Sequence, residues 1–283
     1  MWKSSLRIVK PRDLAEALEL ISAGGKPVAG GTDLFVRLRK GVESPQFLVY
    51  IGELSELRVL EEKEEGLVIG AAVTHAELLS SPLTEKFPIL RLALRTIGSP
   101  AIQAMGTIGG NVVNASPAGD SLVPLYLLEA KVQLCGPEGE RELPISDFIL
   151  GPGKTALRPG ELVRSVFLPF LDGSPYPYFR KVGRRRALVI AVASLGALIW
   201  TEGGRVKKAR LALGSVAPTV IRPKEVEEAL VGRPIDPEAW RDLVPLLSSA
   251  TKPISDLRAS ADYRRKVAGS LLLDLAQSLQ NRR

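Results

Sequence analysis

Two short glycine-containing segments are the places where this sequence could do chemistry. Residues 28–34 read Val-Ala-Gly-Gly-Thr-Asp-Leu, and residues 107–111 read Thr-Ile-Gly-Gly-Asn. Glycine accepts a positive φ and lets the backbone approach a ligand without a Cβ in the way. Consecutive N–H groups can then point into one concavity and bind an anion. The two segments could therefore hold the two phosphates of a dinucleotide from either side.

Plain tight turns are the alternative interpretation of both segments. Neither contains Gly-x-Gly-x-x-Gly, so neither is a Rossmann fingerprint. Gly153, Lys154 and Thr155 end like a phosphate-binding P-loop, but Phe148 stands where that motif needs its first glycine. The residues alone exclude these two nucleotide-binding motifs and leave open the choice between turns and a diphosphate cradle.

The chain has one cysteine, Cys135, and one histidine, His75. These counts exclude an intrachain disulfide and an iron–sulfur or zinc site built from this chain's own thiolates. His75 follows Thr74, and Glu77 has the spacing of a capping box. A structural role is therefore favoured over a proton carrier for His75, and Cys135 is expected to be a buried apolar residue.

The elements around the first segment predict an α/β unit. Apolar residues at helical spacing predict a helix over 11–21 with Pro11 in its first turn, followed by Gly24 and Gly25. A strand over 27–29, a helix over 33–40 and a strand over 48–51 follow. The glycine segment thus lies between a strand and a helix.

In the middle of the chain, the residue pattern predicts a charged turn at 61–66, a strand at 67–72 and a helix at 89–97. Residues 112–119 are small and loop-like, and Asp120 and Ser121 can cap a helix over 122–128. Strands at 131–135 and 162–168 bracket a loop at 151–160.

The pattern changes after an aromatic, proline-rich segment, 169–179, which we interpret as a linker. Strands at 188–200 and 205–213 and helices at 224–230 and 259–280 follow. We predict two domains, 1–174 and 175–283, the first with subdomains of about 1–55 and 56–174.

The net charge is +7, yet the basic and acidic residues are interleaved over most of the chain. The basic clusters, 184–186 and 205–210, are short and lack the interleaved aromatic residues of a single-stranded nucleic-acid site. Arg184, Arg185 and Arg186 are either a solvated face or a docking surface, and no nucleic-acid partner is predicted. No apolar run of about 18 residues occurs, so no membrane span is predicted. The start lacks the apolar core of a signal peptide, and a cytoplasmic protein is expected.

The two segments, followed by Ala115, Ser116, Pro117 and Asp120, resemble the FAD motifs of a known family. That family is the FAD-binding (medium) subunit of molybdenum hydroxylases, the carbon monoxide dehydrogenase and xanthine dehydrogenase family. Its typical sequences also occur at 72–77 (Ala-Val-Thr-His-Ala-Glu), 157–162 (Leu-Arg-Pro-Gly-Glu-Leu), 181–185 (Lys-Val-Gly-Arg-Arg), 213–219 (Leu-Gly-Ser-Val-Ala-Pro-Thr) and 262–265 (Asp-Tyr-Arg-Arg). The resemblance covers essentially the whole chain.

The resemblance implies an α+β protein. Its FAD-binding domain would be of the vanillyl-alcohol-oxidase (PCMH) type with two α/β subdomains, and its small C-terminal α+β domain would pair a sheet with helices. It also implies an oxidoreductase subunit that takes electrons from [2Fe–2S] clusters of a small subunit and passes them to quinone, NAD or O₂. A molybdopterin-binding large subunit would act on the substrate, in a dimer of heterotrimers.

The residues that would bind FAD are implied by position. The first segment is expected to bind the pyrophosphate and the second to line its other side. Asp33 is expected to cap its own helix with its side chain, and Asp120 to accept hydrogen bonds from FAD. The implied set is Val28, Ala29, Gly30, Gly31, Thr32, Asp33, Leu34, Ile97, Thr107, Ile108, Gly109, Gly110, Asn111, Asp120, Val163 and Lys181 or its neighbour Arg180. No catalytic residue and no metal ligand is expected in this chain.

The sequence departs from the family in two respects. The single cysteine excludes the cysteine-rich insertion that some relatives carry for a four-iron cluster. Leu188, Val189 and Ile190 stand where many relatives have an aromatic residue near the flavin. A stand-alone FAD-dependent oxidase is the first alternative function, and a basic nucleic-acid-binding protein is a remote one.

Overall fold

The computed structural model describes residues 6–185 and 189–282. Within these residues the strands are β1 (Arg7–Val9), β2 (Lys26–Val28), β3 (Phe47–Tyr50), β4 (Leu60–Lys63), β5 (Gly66–Gly70), β6 (Lys131–Gly136), β7 (Gly139–Pro144), β8 (Ile149–Gly151), β9 (Lys154–Thr155), β10 (Leu162–Pro169), β11 (Tyr176–Val182), β12 (Ala193–Glu202) and β13 (Arg205–Gly214). The helices are α1 (Leu14–Ser22), α2 (Leu34–Arg39), α3 (His75–Ser80), α4 (Pro88–Leu94), α5 (Pro100–Met105), α6 (Ile108–Asn114), α7 (Leu122–Leu127), α8 (Ile145–Phe148), α9 (Lys224–Leu230), α10 (Pro237–Trp240), α11 (Leu243–Ser249) and α12 (Ala261–Gln280).

The chain forms two compact units that alternate along the sequence. The first unit combines the residues up to Leu83 with Ser99–Ala115 and Glu129–Phe170. The second combines Thr84–Gly98 and Ser116–Leu128 with the chain from Leu171 onward. Each unit therefore brings together segments that are distant in sequence.

The first unit begins with a three-stranded parallel sheet in the order β1-β3-β2. Helix α1 lies beside it, and its apolar face buries Ala17 and Ile21 in a cluster with Val49. The predicted α/β unit is confirmed, with β1 as an additional strand. Pro11 does not begin the helix, because the carboxylate of Asp13 caps α1 by accepting the N–H of Glu16 at 2.8 Å.

The first unit also contains a five-stranded antiparallel sheet in the order β4-β5-β10-β6-β7 and the two-stranded sheet β8-β9. The turn predicted at 61–66 was wrong for its first half, because β4 is an edge strand paired with β5. Its charged side chains are exposed, which an edge strand permits. The loop predicted at 151–160 contains β9, which pairs with β8.

The second unit is built on the antiparallel sheet β11-β12-β13, which packs against helix α12. Its core includes Leu195 and Leu211 of the sheet, Trp240, and Leu272 of α12. The linker predicted at 169–179 was wrong from residue 176, because β11 begins there. Pro177 is tolerated because β11 is an edge strand of this sheet.

Two further sequence predictions concern residues 184–200. The strand predicted at 188–200 begins only at Ala193 in β12, and Leu188 and Arg186 lie outside the described residues. None of the helices in the described part of the chain has the length and apolar content needed to cross a membrane.

Candidate functional site

The first glycine segment connects β2 to α2 and lies directly against the backbone at the end of α5. A Cβ built on Gly30 would lie 1.7 Å from the carbonyl oxygen of Met105. Gly31 has φ +69°, and its Cβ would lie 2.4 Å from ring atoms of Phe35. Only glycine permits this close approach at residue 30, and a left-handed backbone at residue 31 favours glycine as well.

The N–H groups of Gly30, Gly31 and Thr32 remain available in this segment. No hydrogen bond within residues 6–185 and 189–282 uses them, whereas the Gly31 carbonyl accepts the N–H of Phe35 at 3.0 Å. The segment therefore offers donors to an anion.

The prediction that Asp33 caps its own helix was wrong. Its φ and ψ of −99° and −43° are helical, and its carboxylate makes no cap hydrogen bond. A side-chain cap needs an extended residue whose oxygen can reach back to the next turn. The carboxylate of Asp33 is exposed instead.

The second segment is the first turn of α6 and not a loop, so the loop-like character predicted for 112–119 was wrong up to Asn114. Thr107 is extended, with φ −109° and ψ 157°, and its Oγ1 accepts the N–H of Gly110 at 3.0 Å. This cap offsets the poor helix propensity of two adjacent glycines.

The backbone donors of the second segment are already occupied. Ile108 donates to the carbonyl of Val73, Gly109 to that of Ala71 and Asn111 to that of Thr107, each at 3.0 Å. With Gly110 bound to the Thr107 hydroxyl, four consecutive N–H groups have protein acceptors. This segment can therefore offer a ligand a surface for close approach, but its N–H groups are not free to donate to that ligand.

The two glycines of the second segment face different surroundings. A Cβ on Gly109 would lie 2.5 Å from the Cβ of Ala71 and 2.7 Å from its carbonyl oxygen, so Gly109 allows helix α6 to pack on the chain after β5. A Cβ on Gly110 would meet only the Oγ1 of Thr107, at 2.9 Å. Gly110 is exposed and leaves open space beside the first turn of α6.

The structure brings the two segments side by side within the first unit. The backbone contact of Gly30 extends from Met105 to the nitrogen of Gly106, 3.2 Å from the built Cβ. Gly106 immediately precedes Thr107. The sequence predicted two cooperating segments, and this contact supplies the geometry that joins them.

His75 lies against Gly106, the residue that precedes the second segment. Its N–H donates to the carbonyl of Gly106 at 3.0 Å, and its ring lies 3.2 Å from a Cβ built on that glycine. The predicted capping box is confirmed: Thr74 Oγ1 accepts the N–H of Glu77, and Glu77 Oε2 accepts that of Thr74 at 2.8 Å. Burial lowers the pKa of His75 to about 4, so the imidazole is neutral at pH 7.

A buried ion pair in the second unit is the other polar feature among the predicted residues. Lys181 Nζ donates to Asp120 Oδ2 and to the carbonyl oxygen of Thr96, each at 2.6 Å. The side chains of Lys181 and Asp120 are only 7% and 9% exposed. Sequence patterns gave no signal for this pair, because its members are 61 residues apart.

Asp120 keeps one carboxylate oxygen without a partner. Its Oδ1 is buried and accepts no hydrogen bond from the described residues. Burial raises the pKa of Asp120 to about 6, although Lys181 acts in the opposite direction. The capping role predicted for Asp120 and Ser121 was wrong, because Ser121 makes no side-chain cap hydrogen bond and the Asp120 carboxylate accepts from Lys181 instead.

The remaining predicted residues are placed as follows. Ile97 is 9% exposed in the second unit, and Val163 is 3% exposed in β10, opposite Leu134. Arg180 is exposed and pairs with Asp274 Oδ2 at 3.1 Å, so Lys181 is the buried cation of the two neighbours. Cys135 is buried, as predicted.

Each unit, taken by itself, holds groups whose chemistry suits a part of a dinucleotide such as FAD. The free N–H groups of the first segment suit phosphate oxygens, and the open surface at Gly110 lets a ligand approach the backbone. The unpartnered Oδ1 of Asp120 suits a ligand hydroxyl or N–H. The phosphate donors lie in the first unit, and the Asp120–Lys181 pair lies in the second.

Comparisons with known proteins agree with these observations. Residues 4–171 match the family described as the FAD binding domain in molybdopterin dehydrogenase, and residues 178–279 match the CO dehydrogenase flavoprotein C-terminal domain. The chain is 34% identical over 276 residues to the glyceraldehyde dehydrogenase medium chain of Sulfolobus acidocaldarius, covering 96% of this chain and 98% of that protein. It is also 34% identical to the carbon monoxide dehydrogenase medium chain of Afipia carboxidovorans, covering 93% and 92% of the two chains.

The fold is similar to that of solved structures as well. The structure of reconstituted CO dehydrogenase from Oligotropha carboxidovorans contains a chain that superposes with a TM-score of 0.91 at 32% identity. The match covers 97% of both chains.

Proposed function

This chain belongs to the family of FAD-binding domains in molybdopterin dehydrogenases, and on that premise we propose that it relays electrons between protein-bound redox centres and a final acceptor. The chain is an FAD-binding medium subunit of the molybdenum hydroxylase family and a component of an oxidoreductase. Its PCMH-type FAD-binding domain is followed by the C-terminal domain of the carbon monoxide dehydrogenase flavoprotein type, as the sequence predicted.

We propose that the first segment binds the FAD pyrophosphate through the N–H groups of Gly30, Gly31 and Thr32. The observation that carries this assignment is that these three adjacent donors have no acceptor among the residues that the structure describes. Val28, Ala29, Asp33 and Leu34 hold the segment between β2 and α2.

The second segment would contribute the facing surface. Thr107 and Ile108 fix the start of α6, Gly109 seats it, and Gly110 with Asn111 leaves room for the ligand. Asp120 would accept a hydrogen bond from FAD through its free Oδ1, and Lys181 would hold that carboxylate in place. Ile97 and Val163 would supply apolar contacts.

The redox chemistry would come from bound FAD, which can accept two electrons singly and release them as a pair. The residues of this chain bind and orient it, and none of them needs to act as an acid or base on the organic substrate. His75, the one imidazole, is buried in its capping box, which disfavours the stand-alone oxidase. Electrons would arrive from the [2Fe–2S] clusters of a small subunit, downstream of a molybdopterin-binding large subunit. They would leave to quinone, NAD or O₂.

We retain the division into domains 1–174 and 175–283, a dimer of heterotrimers and a cytoplasmic location as parts of this proposal. The matched family regions, 4–171 and 178–279, support the division.

Reduction of bound flavin by the partner subunits tests the proposal. The purified chain, loaded with FAD, is mixed with reduced large and small subunits, and flavin bleaching is followed by stopped flow. We expect reduction only when the iron–sulfur subunit is present. Direct reduction by an alcohol or aldehyde without partners would instead support a stand-alone oxidase.

Gly110→Val tests the site itself. A Cβ at Gly110 meets only the Thr107 hydroxyl, so the variant should fold while its side chain occupies the ligand's space. We expect FAD affinity to fall at least about tenfold, or about 1.4 kcal/mol. Val113→Ala, an exposed position of the same helix, is the matched control and should bind FAD normally. Unchanged flavin content in Gly110→Val would refute the cradle assignment.

A further inference from the structure

Arg264 of α12 is a charged side chain enclosed within the second unit, where it is 1% exposed. Its guanidinium donates to the carbonyl oxygens of Val192 at 2.6 Å and Ser215 at 3.1 Å, and to Asp256 Oδ1 at 2.7 Å. Its Nε has no partner among the residues that the structure describes. A buried ion pair is often no more stabilising than apolar packing, whereas it does fix the positions of the groups that it binds.

Ser215 connects Arg264 to the loop that carries Asp120. Ser215 has φ +65°, a left-handed backbone that a residue other than glycine adopts only at an energetic cost. Its N–H donates to the carbonyl of Pro117 at 2.8 Å, and its Oγ donates to the carbonyl of Ala191 at 3.2 Å. With Arg264 bound to its carbonyl, Ser215 is held in this conformation while its N–H fixes the position of Pro117.

Pro117 lies in a tight turn that ends directly before Asp120. The N–H of Gly119 donates to the carbonyl of Ser116 at 2.8 Å, which closes the turn around Pro117. Asp120 is the next residue, and its buried Oδ1 has no partner among the described residues. Fixing the Pro117 carbonyl therefore fixes the backbone from which the Asp120 carboxylate projects.

Val192 connects Arg264 to the strand that carries Lys181. The N–H of Val192 donates to the carbonyl of Val182 at 2.8 Å, and Val182 directly follows Lys181. Lys181 Nζ in turn donates to Asp120 Oδ2 at 2.6 Å. One guanidinium thus holds the backbone on both sides of the Asp120–Lys181 pair.

We propose that Arg264 is a positioning residue for FAD, one that sets where the free Oδ1 of Asp120 lies. Being buried, it would act through Ser215 and Val192 and would not touch the ligand. The planar guanidinium has donors in fixed directions, so it can bind two carbonyls and a carboxylate at once, which an ammonium group cannot reproduce. This inference rests on the proposed function, in which Asp120 accepts a hydrogen bond from FAD.

Arg264→Lys tests this assignment, because lysine keeps the positive charge and loses the fixed directions of the donors. FAD is titrated into the deflavinated chain, and flavin fluorescence reports the Kd. We expect the Kd to rise at least about tenfold. Arg222→Lys is the matched control, since Arg222 is also largely buried and pairs with a carboxylate, that of Glu227 at 2.8 Å. This control should leave the Kd unchanged.

A double-mutant cycle with Asp120→Ala separates positioning from general destabilisation. If Arg264 acts through Asp120, Arg264→Lys should not weaken FAD binding further once residue 120 is alanine. A merely structural effect of Arg264 would weaken FAD binding by the same factor in both backgrounds. Equal factors would therefore overturn the assignment.

Asp256→Ala remains informative if Arg264→Lys does not fold. The Asp256 side chain is 24% exposed, and its truncation perturbs the same guanidinium without a change in the buried residue. We expect the Kd for FAD to rise by a smaller factor than in Arg264→Lys. Asp242→Ala, which breaks the pair with Arg233 in the same unit, is its control and should bind FAD like the native chain.

The outcomes distinguish this inference from the proposed function. An unchanged Kd in the folded variants of Arg264 and Asp256 would overturn the positioning assignment alone. A native chain that binds no FAD would overturn the proposed function and this inference with it.

Discussion

The two glycine segments have the same Gly-Gly pair and opposite backbone chemistry. In the first, the N–H groups of Gly30, Gly31 and Thr32 have no acceptor within residues 6–185 and 189–282. In the second, the N–H groups from Ile108 to Asn111 are all occupied within the first unit, one of them by the Thr107 hydroxyl.

The glycines also differ in why they are needed. Gly30 and Gly109 both lie against backbone, at Met105 and Ala71. Gly31 has a left-handed backbone, whereas Gly110 is helical and faces open space. A Gly-Gly pair alone therefore does not identify a donor-rich anion site, because hydrogen bonds made elsewhere in the fold decide which N–H groups remain free.

Gly30→Ala should have the largest effect. Its Cβ would lie 1.7 Å from the Met105 carbonyl oxygen, so the two segments must separate. We expect the free energy of unfolding to fall by about 3 kcal/mol or more. We also expect FAD binding to be lost. Gly151→Ala, whose Cβ would meet no atom within 4 Å and whose φ, like that of Gly30, is not positive, is the control and should bind FAD normally. Urea denaturation and flavin absorbance measure both quantities, and equal losses in the two variants would contradict the contact.

Lowering the pH should reduce the stability of the folded chain through His75, which lies beside the second segment. Its pKa falls from 6.5 to about 4 on folding, so the unfolded state binds the proton more readily. The stability contributed by the neutral imidazole is complete above pH 6.5 and is lost as the pH falls from 6.5 to about 4. The total is about 3 kcal/mol. Denaturation at several pH values measures it, and His75→Gln should flatten this part of the profile.

The histidine can be observed directly, because the chain has only one. Its single imidazole NMR signal should titrate near pH 4. A midpoint near 6.5 would show that the ring is solvated. His75 would then not account for a loss of stability between pH 6.5 and 4.

Gly31→Ala and Gly110→Ala should separate backbone strain from helix formation. We expect Gly31→Ala to lose at least about 1–2 kcal/mol of stability, since alanine disfavours the left-handed backbone at φ +69° and its Cβ would also lie 2.4 Å from the Phe35 ring. Gly110→Ala should change stability by less than about 1 kcal/mol, because its position is helical. Thermal denaturation compares them, and equal losses would show that the two segments share one conformation.

Thr107→Ala should have a small effect, a loss of about 1 kcal/mol from the missing cap. Thr107→Ser keeps the hydroxyl and should restore most of that loss. Hydrogen exchange at Gly110 gives a local measurement, since its N–H loses its acceptor only in the alanine variant. Unchanged protection in Thr107→Ala would show that the cap is not what occupies this donor.

The sequence by itself determined the family, the cofactor and several local structures. The capping box at Thr74 and Glu77 was predictable because its partners lie within one helical turn. The α/β unit around residues 11–51 was predictable because apolar periodicity reports helices and buried strands directly. The edge strands β4 and β11 were missed, since charged residues and proline obscure that periodicity.

Only the tertiary structure decided which polar groups are free. Ile108 and Gly109 donate to carbonyls of Val73 and Ala71, more than thirty residues earlier, and Lys181 reaches Asp120 across 61 residues. Such pairings depend on the register of packed segments, which no local pattern encodes. The sequence thus located the two segments proposed to bind FAD, and long-range packing determined which of their N–H groups have acceptors within the described residues.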